Sequence, residues 1–301
     1  MKKKKHAFKE EDAVIEIEPA VEETKDIASE VAKDQQEGPI DISDVETAGE
    51  KQPEESDKIE KHEEIIKTYR KNLWSLFFKR FFDILFSFLA IIIFSPLMLI
   101  LAIIVRIKLG KGVIFKQYRP GKNNKVFKLY KFSTMNNNLF DEKGELLPDK
   151  DRDSKFGNML RKTSLDELPQ LFNILKGDMS IIGPRPKLVK DMVYYSDEQN
   201  VRSLVRPGLT GLAQVNGRNN ATWEEVFEYD KQYVQKISFW LDLKIFFKTI
   251  GKVFKKADIV ERGQTKQNYY YGDYLLETNQ ISQEEYDIKQ QEAREIIKKA
   301  S

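Results

Sequence analysis

The sequence predicts a mostly α-helical protein with one small β-hairpin, an α+β fold attached to a membrane through a re-entrant helix. Three observations predict it. Residues Ile84–Val105 carry no charged side chain over 22 positions, and a bilayer core takes roughly 20 residues of helix. Residues 238–256 place lysines at 244, 248, 252 and 256, opposite Phe239, Leu243, Phe246, Phe247, Ile250, Val253 and Phe254. The segments Val113–Arg119 and Val126–Phe132 alternate at the period of a strand and flank the turn sequence Pro120–Asn124.

In chain order, an acidic extension comes first. Residues 10–64 hold 21 Asp/Glu against five Lys, a net −16, whereas residues 73–301 have 37 Lys/Arg against 27 Asp/Glu, a net +10. An acidic stretch without aromatics cannot bury enough apolar surface to offset the entropy of ordering, so residues 1–72 are expected to be disordered. The basic remainder suits anionic partners. There is no cysteine, and both histidines, His6 and His62, fall in the acidic extension. Disulfides, thiolate nucleophiles, Ser-His-Asp triads and His- or Cys-ligated zinc are thereby excluded from the folded part. Carboxylates, lysine, arginine, tyrosine and serine remain, with an oxygen-ligated cation such as Mg2+ open.

The apolar run carries Ser95-Pro96 at its middle. Pro96 offers no N–H to the Ile92 carbonyl, so the helix should kink or break there. Lys71, Lys79 and Arg80 precede the run and Arg106, Lys108 and Lys111 follow it. Neither side has the excess of positive charge that sets an orientation. Two ends on one face, with the helix dipping into a single leaflet, is the simplest arrangement; a kinked spanning helix is the alternative. The lysine-rich 238–256 segment reads as an interfacial helix, or as an ordinary core-facing helix with a solvated lysine face.

Between these elements, residues 136–154 form a polar loop and 156–176 are helical in period. Segments 183–186 and 206–218 read as loops, 222–236 as a helix, and Ser282–Lys299 as a charged, exposed tail helix. Chemistry concentrates at 161–186. Leu168, Leu171, Phe172 and Leu175 define a helix face, and Pro169 fits only a first turn, which starts the helix near Asp166. Ser164 and Glu167 also have the spacing of a capping box. Either way Asp166 and Glu167 fall at a helix N-terminus, where the dipole favours an ionised carboxylate. An N-capping Asp followed by a first-turn Glu satisfies the same pattern. Arg185, between Pro184 and Pro186, presents a planar fork suited to phosphate oxygens.

Taken together, KRFFDILFS and SPL (79–97), VFKLYKFSTM (126–135), LRKTSLDELPQLFNILKGDMSIIGPRP (160–186), RPGLTGLAQVNGRN (206–219) and LDLKIF (241–246) resemble the monotopic phosphoglycosyl transferases of the bacterial sugar transferase family. The resemblance covers about 73–260, with the motifs in the same order. It implies an enzyme that moves a phosphosugar from a UDP-sugar to polyprenyl phosphate and starts a surface glycan such as an exopolysaccharide or capsule. Asp166 would attack the sugar-bearing phosphate, release UMP and hold the phosphosugar covalently, with Glu167 as its dyad partner and Mg2+ held by both. Lys131, Arg161, Arg185, Arg218 and Asp242 would line the substrate site, and Ser95 and Pro96 would break the membrane helix.

The implied organisation is an acidic extension (1–72), a re-entrant membrane region (73–110), a compact catalytic domain facing the cytoplasm (111–262) and a C-terminal tail with a charged helix (263–301). Both termini would lie on the cytoplasmic face of a bacterial membrane. Membrane lipid is an expected partner and nucleic acid is not; the tails leave room for self-association or pathway enzymes. Where the family typically carries Arg, this chain has Ser133. A conventional nucleotide-sugar glycosyltransferase, matched only by the letters Asp151-Arg152-Asp153, and a membrane adaptor without catalysis are the alternatives.

Overall fold

A computed structural model describes residues 65–67, 69, 74–136, 149–217, 221–255 and 270–301. A π-helical turn over Trp74–Phe78 leads into helix α1, Lys79–Lys108, and among the described residues this is one helix long and apolar enough to cross a membrane. One stripe of α1 faces the rest of the protein: Lys79, Asp83 and Ser87 are buried, Ala90 and Ile91 are packed, and Met98, Leu101 and Val105 are buried again. Polar anchors hold its first turns. Arg80 donates to the carbonyls of Ile174 and Leu175 at 2.6 and 2.8 Å, and Asp83 accepts from Ser180 and from the Ile181 amide. At the far end Met98, Leu101, Val105 and Leu109 share an apolar cluster with Phe132 and Leu160. A helix of this length, about 45 Å, is therefore fastened to one body near both ends.

The expected break at Ser95-Pro96 is not a break in secondary structure, since α1 runs through it. Pro96 removes the N–H that the Ile92 carbonyl would accept, and the Ser95 hydroxyl donates to that carbonyl instead, at 2.8 Å. What lapses at this point is the packing. Residues 92–96 are all exposed, including Phe94, which lies on the inward stripe one turn before Met98.

Strands β1 (Ile114–Pro120) and β2 (Val126–Phe132) form the expected antiparallel hairpin, with Ile114 opposite Phe132 and Pro120 opposite Val126. Its turn uses Asn123 and Asn124 at φ 53° and 58°, a region that asparagine tolerates better than most residues. The single helix expected over 156–176 is two, α2 (Lys155–Lys162) and α3 (Gln170–Lys176), with a 3-10 turn at Leu165–Glu167 between them. Ser164 turns the chain there with φ 54°. Pro169, having no N–H to contribute, is the N-cap of α3. The α-helix thus begins at Gln170 rather than near Asp166. The Ser164–Glu167 capping box does not form, because the Ser164 side chain makes no cap hydrogen bond.

The predicted loops hold more structure than expected. After β3 (Ser180–Ile182) come two four-residue helices, α4 (Val189–Met192) and α5 (Asp197–Asn200). Strand β4 (Gly208–Thr210) then pairs parallel with β3, and α6 (Leu212–Asn216) follows. A core of Ile182, Val201, Val205, Leu212, Tyr233, Val234, Ile237 and Ile245 draws these together with α7 (Trp223–Lys236) and α8 (Phe239–Lys255). Ile65 and Tyr69 are buried in the same core, so the end of the stretch expected to be disordered is part of the fold. Most of residues 1–72 lie outside the described residues.

Helix α8 turns its aromatic side outward. Ile245 is fully buried, whereas Trp240 and Phe247 are 75% and 62% exposed. On the lysine row, Lys248 donates to Asn216 at 3.1 Å. A core-facing helix would show the reverse. The C-terminal tail also departs from expectation. Helices α9 (Tyr271–Glu277) and α10 (Gln283–Ala300) dock on the body, because the tail's Tyr271, Tyr274 and Leu275 pack against Trp223, Phe227, Tyr194 and Tyr195.

Candidate active site

Three separate segments meet beside the 3-10 turn. Lys131 comes from β2, Asp166 and Glu167 from the turn, and Arg185 from the loop after β3. Glu167 Oε1 accepts from Lys131 Nζ at 2.6 Å and from Arg185 at 2.8 Å. Lys131 Nζ stands 3.7 Å from Asp166 Oδ2. A 3-10 turn advances about 120° per residue, so the neighbouring carboxylates meet the shared Lys131 at different distances, Glu167 closely and Asp166 loosely.

The two acids are shifted in opposite directions. Burial works against ionising Glu167, but Arg185 and Lys131 outweigh it and hold the carboxyl down at about 2. Burial pushes Asp166 above the usual carboxylate range; Lys131 opposes that, and the charge on Glu167 adds to it. The expectation that the helix terminus keeps Asp166 readily ionised is thus reversed in direction. The terminus of α3 lies a turn away, and desolvation wins. Adjacent acids with separated titration are a common arrangement where one group is static and the other reacts.

Arg185 is held by its backbone. The carbonyls of Pro184, Arg185 and Pro186 accept in turn from the Gly208 amide at 2.9 Å, Arg202 at 2.7 Å and Arg119 at 3.2 Å. Prolines fix φ on both sides of the arginine. A Cβ on Gly208 would fall 2.1 Å from the Gly183 nitrogen, so the loop and β4 approach at a distance only glycine permits. The guanidinium is aimed before any ligand arrives.

Sequence reasoning missed a second tier of cations around this loop. Burial and Arg202 lower Lys187 to about 8, while burial and Arg185 lower Arg119 to about 10. Arg202 is paired with Asp230 at 2.9 Å. A shallow, solvent-open cleft runs between the hairpin turn and the loop, lined by Gly121, Arg185, Lys187, Tyr195 and Arg202. The one sequence signal was adjacency to proline, in Arg119-Pro120 and Pro186-Lys187.

The remaining expected site residues are placed elsewhere. Arg161 donates to Thr134 at 2.9 Å and to Asp153 at 3.0 Å; it reaches Asp166 only through its field. Asp153 is thereby engaged as an ion-pair partner of Arg161. Asp242 accepts from Lys79 at 2.7 Å, Tyr233 at 2.8 Å and Trp74 at 3.1 Å, a buried anchor for α1 that does not join the dyad. Arg218 lies outside the described residues. Among the described residues no group of three acidic side chains gathers. Mg2+ typically takes one or two carboxylates and completes its shell with water and substrate phosphates. Asp166 and Glu167 fit that donor set, with Asp166 the less engaged of the two.

Residues 74–256 match the family model for bacterial sugar transferase. The chain is 45% identical over 194 residues to an uncharacterised sugar transferase of Bacillus subtilis, across 64% of this chain and 96% of that one. It is 39% identical over 214 residues to the undecaprenyl-phosphate galactose phosphotransferase of Salmonella typhimurium, across 65% and 45%. It is 42% identical over 189 residues to the UDP-glucose:undecaprenyl-phosphate glucose-1-phosphate transferase of Klebsiella pneumoniae, across 60% and 41%. The chain therefore spans nearly all of the Bacillus relative and less than half of the other two. Helices α9 and α10 fall outside the matched 74–256.

Proposed function

The chain belongs to the bacterial sugar transferase family, and on that basis we propose that it transfers a phosphosugar from a UDP-sugar to undecaprenyl phosphate, with Asp166 as the nucleophile. An Asp166 oxygen attacks the sugar-bearing phosphorus. The bond to the bridging oxygen breaks, and UMP leaves with that oxygen. A phosphate oxygen of the polyprenyl acceptor then attacks the same phosphorus, restores the carboxylate and yields a polyprenyl diphosphate sugar. Splitting one displacement into two is nucleophilic catalysis with ping-pong kinetics.

The observation that carries the reading is the split dyad. Glu167 is held ionised by Lys131 and Arg185, while Asp166 remains a buried, under-compensated carboxylate 3.7 Å from Lys131. Lys131 and Arg185 would hold the donor's phosphates. Mg2+, held by Asp166 and Glu167, would screen the repulsion between two anions. The membrane arrangement belongs to the same proposal: α1 enters one leaflet and returns, with the aromatic side of α8 in the interface. The attachment of α1 near both its ends to one body supports that arrangement.

The test is release of nucleotide from a panel of UDP-sugars, with the full chain in lipid nanodiscs and undecaprenyl phosphate as acceptor. At least one donor is expected to give UMP. UDP in place of UMP, or no release from any donor, overturns the reading. Chelating the divalent metal is expected to stop release, and added Mg2+ to restore it.

A further inference from the structure

Helices α9 and α10 lie beyond the family match, yet they reach the loop that carries Arg185. The link is Asp191, a buried residue of α4. Its Oδ2 accepts the Leu188 amide at 2.9 Å, three residues after Arg185, and its Oδ1 accepts the Tyr271 amide at 2.9 Å, the first residue of α9. One carboxylate thus joins the end of the anion-binding loop to the start of the C-terminal extension.

A second connection runs through rings. Lys187 Nζ lies 4.2 Å from the centre of the Trp223 ring, and Trp223 packs on Tyr271 with centroids 5.0 Å apart. Tyr195, whose hydroxyl accepts from Arg202 at 2.8 Å, packs on Tyr271 and Phe227. Arg202 is the residue that holds the Arg185 carbonyl. The extension is secured in turn. Tyr194 donates to the Tyr286 carbonyl at 3.1 Å and accepts from Gln290 at 2.9 Å, and Tyr286 donates to Asp273 at 2.7 Å. Both routes end on the same loop.

We propose that the C-terminal extension, α9 with α10, is a built-in brace for the anion-binding loop, and that Asp191 is the positioning residue through which it acts on donor binding. This rests on the reading above that Arg185 grips the donor. Without the brace, Asp191 loses the Tyr271 amide that fixes its carboxylate against Leu188, and Arg185 samples orientations away from Glu167. The donor must then supply the ordering, and its affinity falls.

The test uses the full chain and the UDP-sugar that wild type turns over fastest in the panel, with kcat and KM measured well below each variant's Tm. In Asp191→Asn an amide nitrogen faces one of the two N–H groups, so one acceptor is lost. KM for the donor is expected to rise roughly tenfold, with kcat within about twofold. A merely structural role lowers kcat with the folded fraction and leaves KM alone. Tyr194→Phe removes both contacts between the Tyr194 hydroxyl and α10 while keeping the ring, and KM is expected to rise about threefold. If Asp191→Asn does not fold, this second variant decides. KM within twofold of wild type in every folded variant overturns the proposal while the parent reading stands. A wild type that turns over no donor ends both.

Discussion

Two buried carboxylates in this molecule meet a lysine, and their surroundings differ in one respect. Asp242 takes Lys79 at 2.7 Å and two neutral donors, Tyr233 and Trp74, so its charge is matched at close range. Asp166 has Lys131 at 3.7 Å, and that lysine is committed at 2.6 Å to the neighbouring Glu167. The first arrangement holds α1 to α8. The second leaves negative charge unspent in a place from which water is largely excluded. A saturated carboxylate serves as an anchor, and a less compensated one suits the reactant's part proposed for Asp166.

The strongest way to break this contrast is Asp166→Asn. UMP release should fall by about 10⁴-fold or more, as for the loss of a covalent nucleophile, while Tm holds or rises slightly. The sign follows from the raised pKa. The folded state disfavours the ionised form, so Asp166 weakens stability as pH rises above its ordinary range, and the neutral amide removes that cost. A mutant that unfolds more easily and still releases UMP would contradict both halves.

Asp242→Asn should do the opposite. Lys79 loses its counter-charge inside the protein, and breaking such a pair costs about 3–5 kcal/mol. Calorimetry should show a clear drop in Tm, with turnover per folded molecule within a few-fold of wild type. An unchanged Tm with lost turnover would instead place Asp242 in the substrate site, as the family resemblance implies.

The smallest effect concerns Glu167. Its carboxyl is held at about 2, below its ordinary 4.5, so it contributes stability above pH 4.5 that is lost as pH falls towards 2. Glu167→Gln should lower stability at neutral pH by about 2–3 kcal/mol, and the difference from wild type should shrink through that acid window in denaturant titrations. A difference that stays constant with pH would show that Glu167 is not held ionised by Lys131 and Arg185.

Legibility in the sequence followed how local each feature is. The hairpin was readable because alternation and its turn residues sit within 20 positions, and α8 because one helix carries its own amphipathic pattern. Strands β3 and β4 were not, since three-residue strands show no period and pair only through space. The docking of α9 and α10 was hidden for a related reason: Tyr271 finds its partners in Trp223 and Phe227, about 45 residues back. Asp166, Glu167, Arg185 and Lys131 were found through motif order, but their grouping depends on three elements meeting. Arg119, Arg202 and Asp191 act on backbone atoms of another segment, and no residue pattern announces that.

The tethering of α1 near both its ends has a further bearing on how reactants meet. On the proposed membrane arrangement, a body fixed in this way has no stalk on which to swivel, so the proposed nucleophile keeps one height and one heading relative to the lipid sheet. The proposed isoprenoid acceptor, confined to that sheet, would then find it by lateral diffusion alone. Turnover in such a system answers to molecules per unit area, so diluting the acceptor with inert lipid should slow the reaction even when its bulk concentration is unchanged.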